Sequence, residues 1–212
     1  MTNPSGNERG GENIIAYIAG LVASDGHLRK NESRIEISSK NRKFLLKVLR
    51  KLGRVGIKAK IYERKNIYAL YIYNDLVYDT LTRKFLLPPG KKAEKLAPIK
   101  GLSKKEVISF IRGFCDGDST IHKRRMRNKY VPRIRIMSVA KEFIEWVYEE
   151  LKKLGISCSK VFKDKPHGFG NKICWRIEIY GNNVKKFSKI IGYSHPEKKA
   201  KLRVLLKLLH AS

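Results

Sequence analysis

Ile18-Ala19-Gly20-Leu21-Val22-Ala23-Ser24-Asp25-Gly26 and Ile111-Arg112-Gly113-Phe114-Cys115-Asp116-Gly117-Asp118-Ser119 are two versions of one phrase. Each closes an apolar helical run, Asn13 to Gly26 in the first and Lys105 to Asp118 in the second, and each helix is expected to end at an acid, Asp25 or Asp118. Small residues recur at every fourth position, Ala16/Gly20/Ser24 and Ser109/Gly113/Gly117. Each is displaced from its counterpart by 93 residues, as are Asp25 and Asp118. Glycine inside a helix costs about 1 kcal/mol relative to alanine, so ridges of this kind need a packing reason. The spacing predicts two helices whose backbones touch along the ridges, by the steric logic of small-xxx-small pairs. Arg112, the one large polar residue in the second phrase, is expected at the outer side of that contact.

The same order of elements follows each phrase. Arg34-Ile35-Glu36-Ile37-Ser38 and Arg133-Ile134-Arg135-Ile136-Met137 alternate polar with apolar residues, as half-buried strands do. Phe44, Leu45, Val48 and Leu52 then share one helical face, and Phe143, Ile144, Val147 and Leu151 repeat it 99 residues later. Gly56-Ile57 and Gly155-Ile156 supply the expected glycine stops. Two more strands per half are predicted: residues 57–64 with 67–73, and 156–163 with 172–180. Pro89-Gly90-Lys91-Lys92-Ala93 is echoed 107 residues on by Pro196-Glu197-Lys198-Lys199-Ala200. The growing displacement implies longer loops in the second copy, at 124–130 and 165–171. The expectation is an α+β fold of tandem pseudo-twofold α-β-β-α-β-β-α repeats, whose two four-stranded antiparallel sheets form a saddle. Residues 1–12 read as a disordered tail, 13–86 as the first half, 87–103 as a linker and 104–212 as the second half, with residues 194–209 as a final basic helix.

Of 212 residues, 47 are Lys or Arg and 19 are Asp or Glu, a net charge of +28, on a chain that is 42% hydrophobic. That much apolar material builds a core, so the charge must lie on a folded body. Such an excess on a globular surface points first to nucleic acid, because each cation set against a phosphate releases counterions. An anionic membrane surface is disfavoured, since no amphipathic helix has an apolar face to spare from the core. No window approaches about 18 consecutive apolar residues, and the polar, Gly-rich N-terminus does not resemble a secretory signal. Cys115, Cys158 and Cys174 have no C-x-x-C or His/Cys ligand spacing, so they read as buried thiols in a reducing, intracellular compartment.

The two phrases resemble the nine-residue signature of the LAGLIDADG homing endonucleases, and the chain resembles a single-chain, two-motif member over nearly its whole length beyond residue 12. Ala23 and Ser24 depart from the signature in the first copy and Ser119 in the second; the metal-binding acids remain. The resemblance implies a monomeric, sequence-specific, double-strand DNA endonuclease that hydrolyses one phosphodiester per strand and leaves short 3′ overhangs. Its cofactor would be Mg²⁺, with Mn²⁺ or Ca²⁺ able to take the site, Ca²⁺ without turnover. Asp25 and Asp118 would hold the metals, helped by the carbonyls of Ser24 and Gly117. An acid at a helix C-terminus opposes the macrodipole, which favours a functional over an incidental role for both. Lys40, after the second strand, is a candidate to organise water, whereas its counterpart Val139 cannot. Lys91/Lys92 and Lys198/Lys199 are candidates for the same role, Lys92 and Lys199 foremost. The substrate would be a long, pseudo-palindromic or asymmetric duplex target.

The sheet faces opposite the cores would read that duplex, since antiparallel strands fit the major groove. The first half offers Arg29, Arg34, Glu36, Ser38, Lys40, Lys58, Lys60, Tyr62 and Arg64. The second offers Arg133, Arg135, Met137, Lys172, Arg176, Glu178 and Tyr180, plus Lys123 and Arg125 in a basic loop over 122–129. Arg pairs bidentately with guanine and Glu accepts from cytosine, so the set can specify sequence as well as hold phosphate. An intron RNA maturase and a non-catalytic nucleic-acid-binding protein of the same fold are the alternatives. An intein is disfavoured by the ending His210-Ala211-Ser212, which lacks a terminal Asn.

Overall fold

A computed structural model describes residues 13–30, 32–126, 129–164 and 172–207. The expected N-terminal tail and the loop at 165–171 lie outside the described residues. The first half runs α1 (Ile14–Ser24), β1 (Gly26–Arg29), β2 (Arg34–Ser39), α2 (Arg42–Gly53), β3 (Ala59–Arg64), β4 (Ile67–Tyr73) and α3 (Asp75–Asp79), which continues as a π-helical turn, Thr80–Lys84. The second runs α4 (Lys104–Asp118), β5 (Ser119–Met126), β6 (Lys129–Ser138), α5 (Lys141–Lys153), β7 (Phe162–Asp164), β8 (Cys174–Tyr180), α6 (Asn182–Ile190) and α7 (Pro196–Lys207). Two antiparallel sheets result, in the order β1-β2-β4-β3 and β5-β6-β8-β7. The tandem α+β architecture expected from the repeats is the one observed. No helix among the described residues is long and apolar enough to cross a membrane.

α1 is apolar on every side because it has no solvent face: Ala16 to Ala23 are all buried, against α4 on one flank and the first sheet on the other. The Asn13 side chain caps it by accepting from the Ala16 amide, and the Asn13 amide donates to Ser109 Oγ across the interface at 3.0 Å. Ser103 and Glu106 form a full capping box on α4. The two ridges meet as predicted. A methyl group on Gly20 would overlap the Phe110 carbonyl and come within 2.7 Å of the Phe114 nitrogen; one on Gly113 would overlap the Tyr17 carbonyl. Gly56 and Gly155 hold φ of +75° and +74°, the left-handed geometry that ends α2 and α5.

The strand boundaries differ from expectation in the second half. β7 has three residues where eight were predicted, and β8 begins at Cys174, so Lys172 stands outside the sheet. Much of the predicted basic loop after His122 is instead a long hairpin, β5 turning into β6. The remaining strand of each predicted four-stranded sheet is supplied by β1 and β5, which follow the phrases directly and carry little alternation to announce them.

Candidate active site and nucleic-acid interface

Asp25 is the C-cap of α1 and Asp118 the last residue of α4, so the ridge contact that joins the helices also carries their acids to one place. Gly117 sets how close they come: a methyl group there would overlap Ser24 Oγ and lie 2.9 Å from Asp25 Oδ2. Burial, then the neighbouring Asp25 charge, push the Asp118 carboxyl up to about 6, against the opposing pull of Lys92 and Lys198. A pocket of about 320 Å³ opens beside Asp118, lined by Ser24, Lys92, Met137, Ser138, Val139 and Cys174 among others.

Two lysines close the helix ends. Lys92 Nζ donates to the carbonyls of Val22 and Gly26, and Lys198 Nζ donates to those of Cys115 at 2.9 Å and Gly117 at 2.6 Å. Val22 and Cys115 are repeat equivalents, so the lysines do the same work in each half. Carbonyls at a helix C-terminus lack intrahelical partners, and an ammonium there also complements the dipole. Burial lowers both lysines, Lys92 to about 8, while Asp118 and Asp25 hold it from falling further. This overturns the expectation for Lys199. Its side chain is exposed, and Lys198, one residue earlier, is the counterpart of Lys92. Lys91 is exposed as well, and Lys40 is exposed in the turn after β2, whereas its repeat counterpart Val139 lines the pocket.

Asp116, within the second phrase, has a different task. It is 3% exposed and accepts from the Tyr17 hydroxyl at 2.7 Å and from the amides of Ser194 and His195. It therefore pins the segment leading into α7, and so delivers Lys198. His195, which the repeat pattern did not single out, packs against Phe44 in a tilted ring contact with centroids 4.5 Å apart. Its Nδ1 is buried without a hydrogen-bond partner, and burial holds the ring below its usual pKa. Only a histidine beside the second Pro-x-Lys-Lys echo could have drawn attention to it.

The donor chemistry of the acid pair suits a hard divalent cation: two neighbouring carboxylates open to solvent, with helix-end carbonyls beside them. Among the described residues no group of three or more His, Cys, Asp or Glu could hold a metal, so water and phosphate oxygens would complete the shell. The Gly117 carbonyl is already engaged by Lys198, leaving one lone pair.

The register fixes the outer faces. In the first sheet Arg34 opposes Tyr73, Glu36 opposes both His27 and Tyr71, and Lys60 opposes Tyr71, so these residues share a face with Arg29, Ser38, Tyr62 and Arg64. Tyr71 and Tyr73 join that face unannounced, because β4 reads as continuously apolar. Arg34 and Arg64 both lie over the Tyr71 ring, at 4.7 and 5.2 Å. Lys58 is exposed just before β3.

In the second sheet Arg133, Arg135 and Met137 face the same way as Tyr180, Glu178 and Arg176. The hairpin register puts His122 and Arg124 on that face and turns Lys123 and Arg125 to the other, with Lys123 over the Tyr130 ring. Lys123 and Arg125, expected among the DNA contacts, thus lie on the face opposite Arg133 and Arg135. Lys172 pairs with Glu94 at 2.8 Å. Glu178 is not a free acceptor for a base: it is 5% exposed and held by Arg133 at 2.6 Å and Arg135 at 3.2 Å. Arg176 likewise pairs with Asp164 at 2.5 Å.

The family model of LAGLIDADG-like domains matches residues 12–85 and 105–192. Among solved structures, mesophilic variants of the homing endonuclease I-DmoI share 20% identity, covering 90% of this chain and 97% of that one, with a TM-score of 0.58. I-DmoI in complex with DNA and Mn shares 21% identity over 86% and 97%, with a TM-score of 0.56. Full-length DUF199/WhiA from Thermatoga maritima has a TM-score of 0.62 at 14% identity, covering 97% of this chain and 62% of that one. These likenesses show a shared fold. Curated relatives include a probable translation initiation factor IF-2 of Methanocaldococcus jannaschii, 27% identical over 91% of this chain and 16% of its own length. A replication factor C small subunit of the same organism is 24% identical over 95% and 10%. The tRNA-splicing ligase RtcB of Methanopyrus kandleri is 24% identical over 87% and 21%. The chain thus spans between about a tenth and a fifth of the length of these relatives.

Proposed function

The chain belongs to the family of LAGLIDADG-like domains, and on that footing we propose that it is a sequence-specific endonuclease of double-stranded DNA. The observation that carries this reading is the convergence of Asp25 and Asp118, one from each half, at the contact between the two halves. The I-DmoI structures with DNA and a metal support it by likeness of fold. The initiation factor, replication factor C small subunit and ligase share with this chain only a small part of their lengths. A segment common to proteins of such different names fits a self-contained module better than any of their own activities.

In this reading Asp25 and Asp118 hold divalent metal, Mg²⁺ in the first instance, with the carbonyls of Ser24 and Gly117 beside them. The bound ion would activate water and stabilise the leaving oxygen at the scissile phosphates. Lys92 and Lys198 fix the carbonyls that position the two acids and place positive charge beside a phosphate's path. The outer faces, with Arg34, Lys60, Tyr62 and Arg64 in one half and His122, Arg124, Arg133, Arg135 and Tyr180 in the other, grip and read the duplex. One phosphodiester is cut per strand, by a monomer, leaving short 3′ overhangs.

The test is selection of cleaved sequences from a randomised duplex library with Mg²⁺, run beside the Asp118→Asn protein. A discrete site cut by the wild type and bound but uncut by the variant establishes the reading. Tight binding of a structured intron RNA with no cut duplex would establish a maturase, and binding without any reaction a structural role.

A further inference from the structure

β4 breaks the pattern of its sheet. A strand with one face on the core and one in solvent alternates apolar with polar residues, and only strands covered on both faces read as unbroken apolar runs. The register places Ile67 opposite Arg64, Ala69 opposite Ser38 and Tyr62, Tyr71 opposite Glu36 and Lys60, and Tyr73 opposite Arg34, so all four β4 residues lie on the outer face. That face is apolar along its length, yet Ile67 is 43% exposed, Tyr73 52%, and Tyr62 of the neighbouring strand 42%. Tyr71 lies among them, its ring centroid 4.9 Å from that of Tyr62 and 6.4 Å from that of Tyr73. From Ile67 to Tyr73 the row is about 20 Å long, the rise of about six base pairs.

The fold does not require this stripe. The displacement of 107 that aligns β4 with β8 puts Arg176 in the place of Ala69 and Glu178 in that of Tyr71. Both are tied into ion pairs, Arg176 with Asp164 and Glu178 with Arg133 and Arg135. One face is thus aromatic where its counterpart is ionic, on the same backbone. Cations flank the stripe: Lys60 and Arg64 alternate with Tyr62 along β3, all three exposed, and Lys58 stands just before them. An exposed apolar row beside cations suits apolar groups carried on a polyanion.

In the major groove the apolar group that a base pair offers is the C5-methyl of thymine, and apolar side chains are its partners. We propose that the outer face of the first sheet reads thymine methyl groups, with Tyr62, Ile67 and Tyr73 as the contacts, so that the half of the target lying against it is rich in A·T pairs. Lys60 and Arg64 hold the phosphates beside the stripe. The second face has arginines in place of the stripe and reads its half by hydrogen bonds, so the two halves of the target differ in kind. This inference rests on the reading of the chain as a duplex-cutting nuclease and adds the feature that one half-site must present.

The experiment selects bound sequences from a randomised duplex library with the full chain and no divalent metal. Each thymine of the selected sequence is then replaced in turn by deoxyuridine, which lacks only the methyl group. Affinities are measured for the wild type, Tyr62→Ser/Tyr73→Ser and Tyr62→Phe/Tyr73→Phe. We expect thymines concentrated in one half of the selected sequence, and wild-type binding weakened about fourfold at each contacted methyl, the value of burying one carbon. The phenylalanine pair should keep this penalty and the serine pair lose it. If the serine pair disturbs folding, the deoxyuridine series on the wild type decides by itself. Failure to bind any duplex would overturn the nuclease reading and this inference with it. A selected duplex with no thymine-rich half, deoxyuridine without effect, or an equal penalty in the serine pair would overturn this inference alone and leave the nuclease reading standing. So would binding of single strands tighter than of duplex that the serine pair abolishes, because bases would then be stacking on the tyrosines.

Discussion

Lys198 Nζ donates a hydrogen bond of 2.6 Å to the carbonyl of Gly117, the residue immediately before Asp118. Lys92 makes the matching contacts to Val22 and Gly26 around Asp25. Each acid of the candidate site is therefore flanked by a half-buried ammonium that also satisfies the end of its helix. Replacing either lysine by methionine removes hydrogen bonds from a charged donor, each worth about 1.5–3 kcal/mol. Lys92→Met and Lys198→Met should lower stability by that order in urea melts and depress cleavage further than the melts explain. Lys199→Met should remain within about 0.5 kcal/mol of the wild type. A large effect at Lys199 and none at Lys198 would refute the pairing.

Asp118 penalises the metal-free fold at neutral pH. Its folded pKa of about 6 lies above the ordinary 3.8, so the folded state binds the proton more tightly than the unfolded chain does. The favourable contribution of the protonated carboxyl is complete below pH 3.8 and is lost as pH rises through 6. Asp118→Asn should therefore raise the melting temperature of metal-free protein at about pH 8 and change it little at about pH 3.5. A variant that melts lower at the higher pH would contradict this account.

The same shift governs metal. A cation that binds the folded state stabilises it by mass action, and its carboxylate ligand must first lose its proton. Mg²⁺ should raise the melting temperature of the wild type at about pH 8 and have little effect on Asp25→Asn or Asp118→Asn. Its apparent affinity should weaken about tenfold per unit below about pH 6. Thermal shift against Mg²⁺ concentration reads this without any DNA; equal stabilisation of both variants would remove these carboxylates from the metal site.

The helix ridges, the glycine stops and the acid pair were legible because each rests on local chemistry repeated at a fixed displacement. What the sequence hid followed from counting across irregular loops. The Pro-x-Lys-Lys echo aligns at 107, but Lys92 and Lys198 are 106 apart, so the echo points to Lys199 in place of its neighbour. A strand period of two carries the same hazard. Beginning β5 at Ser119 puts His122 and Arg124 on the outer face in place of Lys123 and Arg125. The closure of Glu178 by Arg133 and Arg135 could not be read from residue types alone, since a carboxylate among cations can serve them or a base.

Glu178 offers a test of that last point. Held between Arg133 and Arg135, it restrains both guanidiniums and offsets part of their charge on the outer face. Glu178→Gln keeps the shape and removes the charge, so the outer face gains net positive charge beside Arg133 and Arg135. Binding of random duplex should tighten, and its log-log salt slope should steepen by about 0.9 for each further phosphate neutralised. Discrimination between the selected target and random duplex should fall as the arginines lose their fixed directions. Gly117→Ala should do the opposite, because its methyl group strikes Ser24 and Asp25 and not the sheets. Duplex affinity would be kept within about threefold of the wild type while cleavage is lost, the overpacking costing about 1–3 kcal/mol. Gly53→Ala, which meets nothing at the end of α2, is the control that should leave both unchanged. Were Glu178→Gln to weaken duplex binding, the carboxylate itself would be touching the DNA.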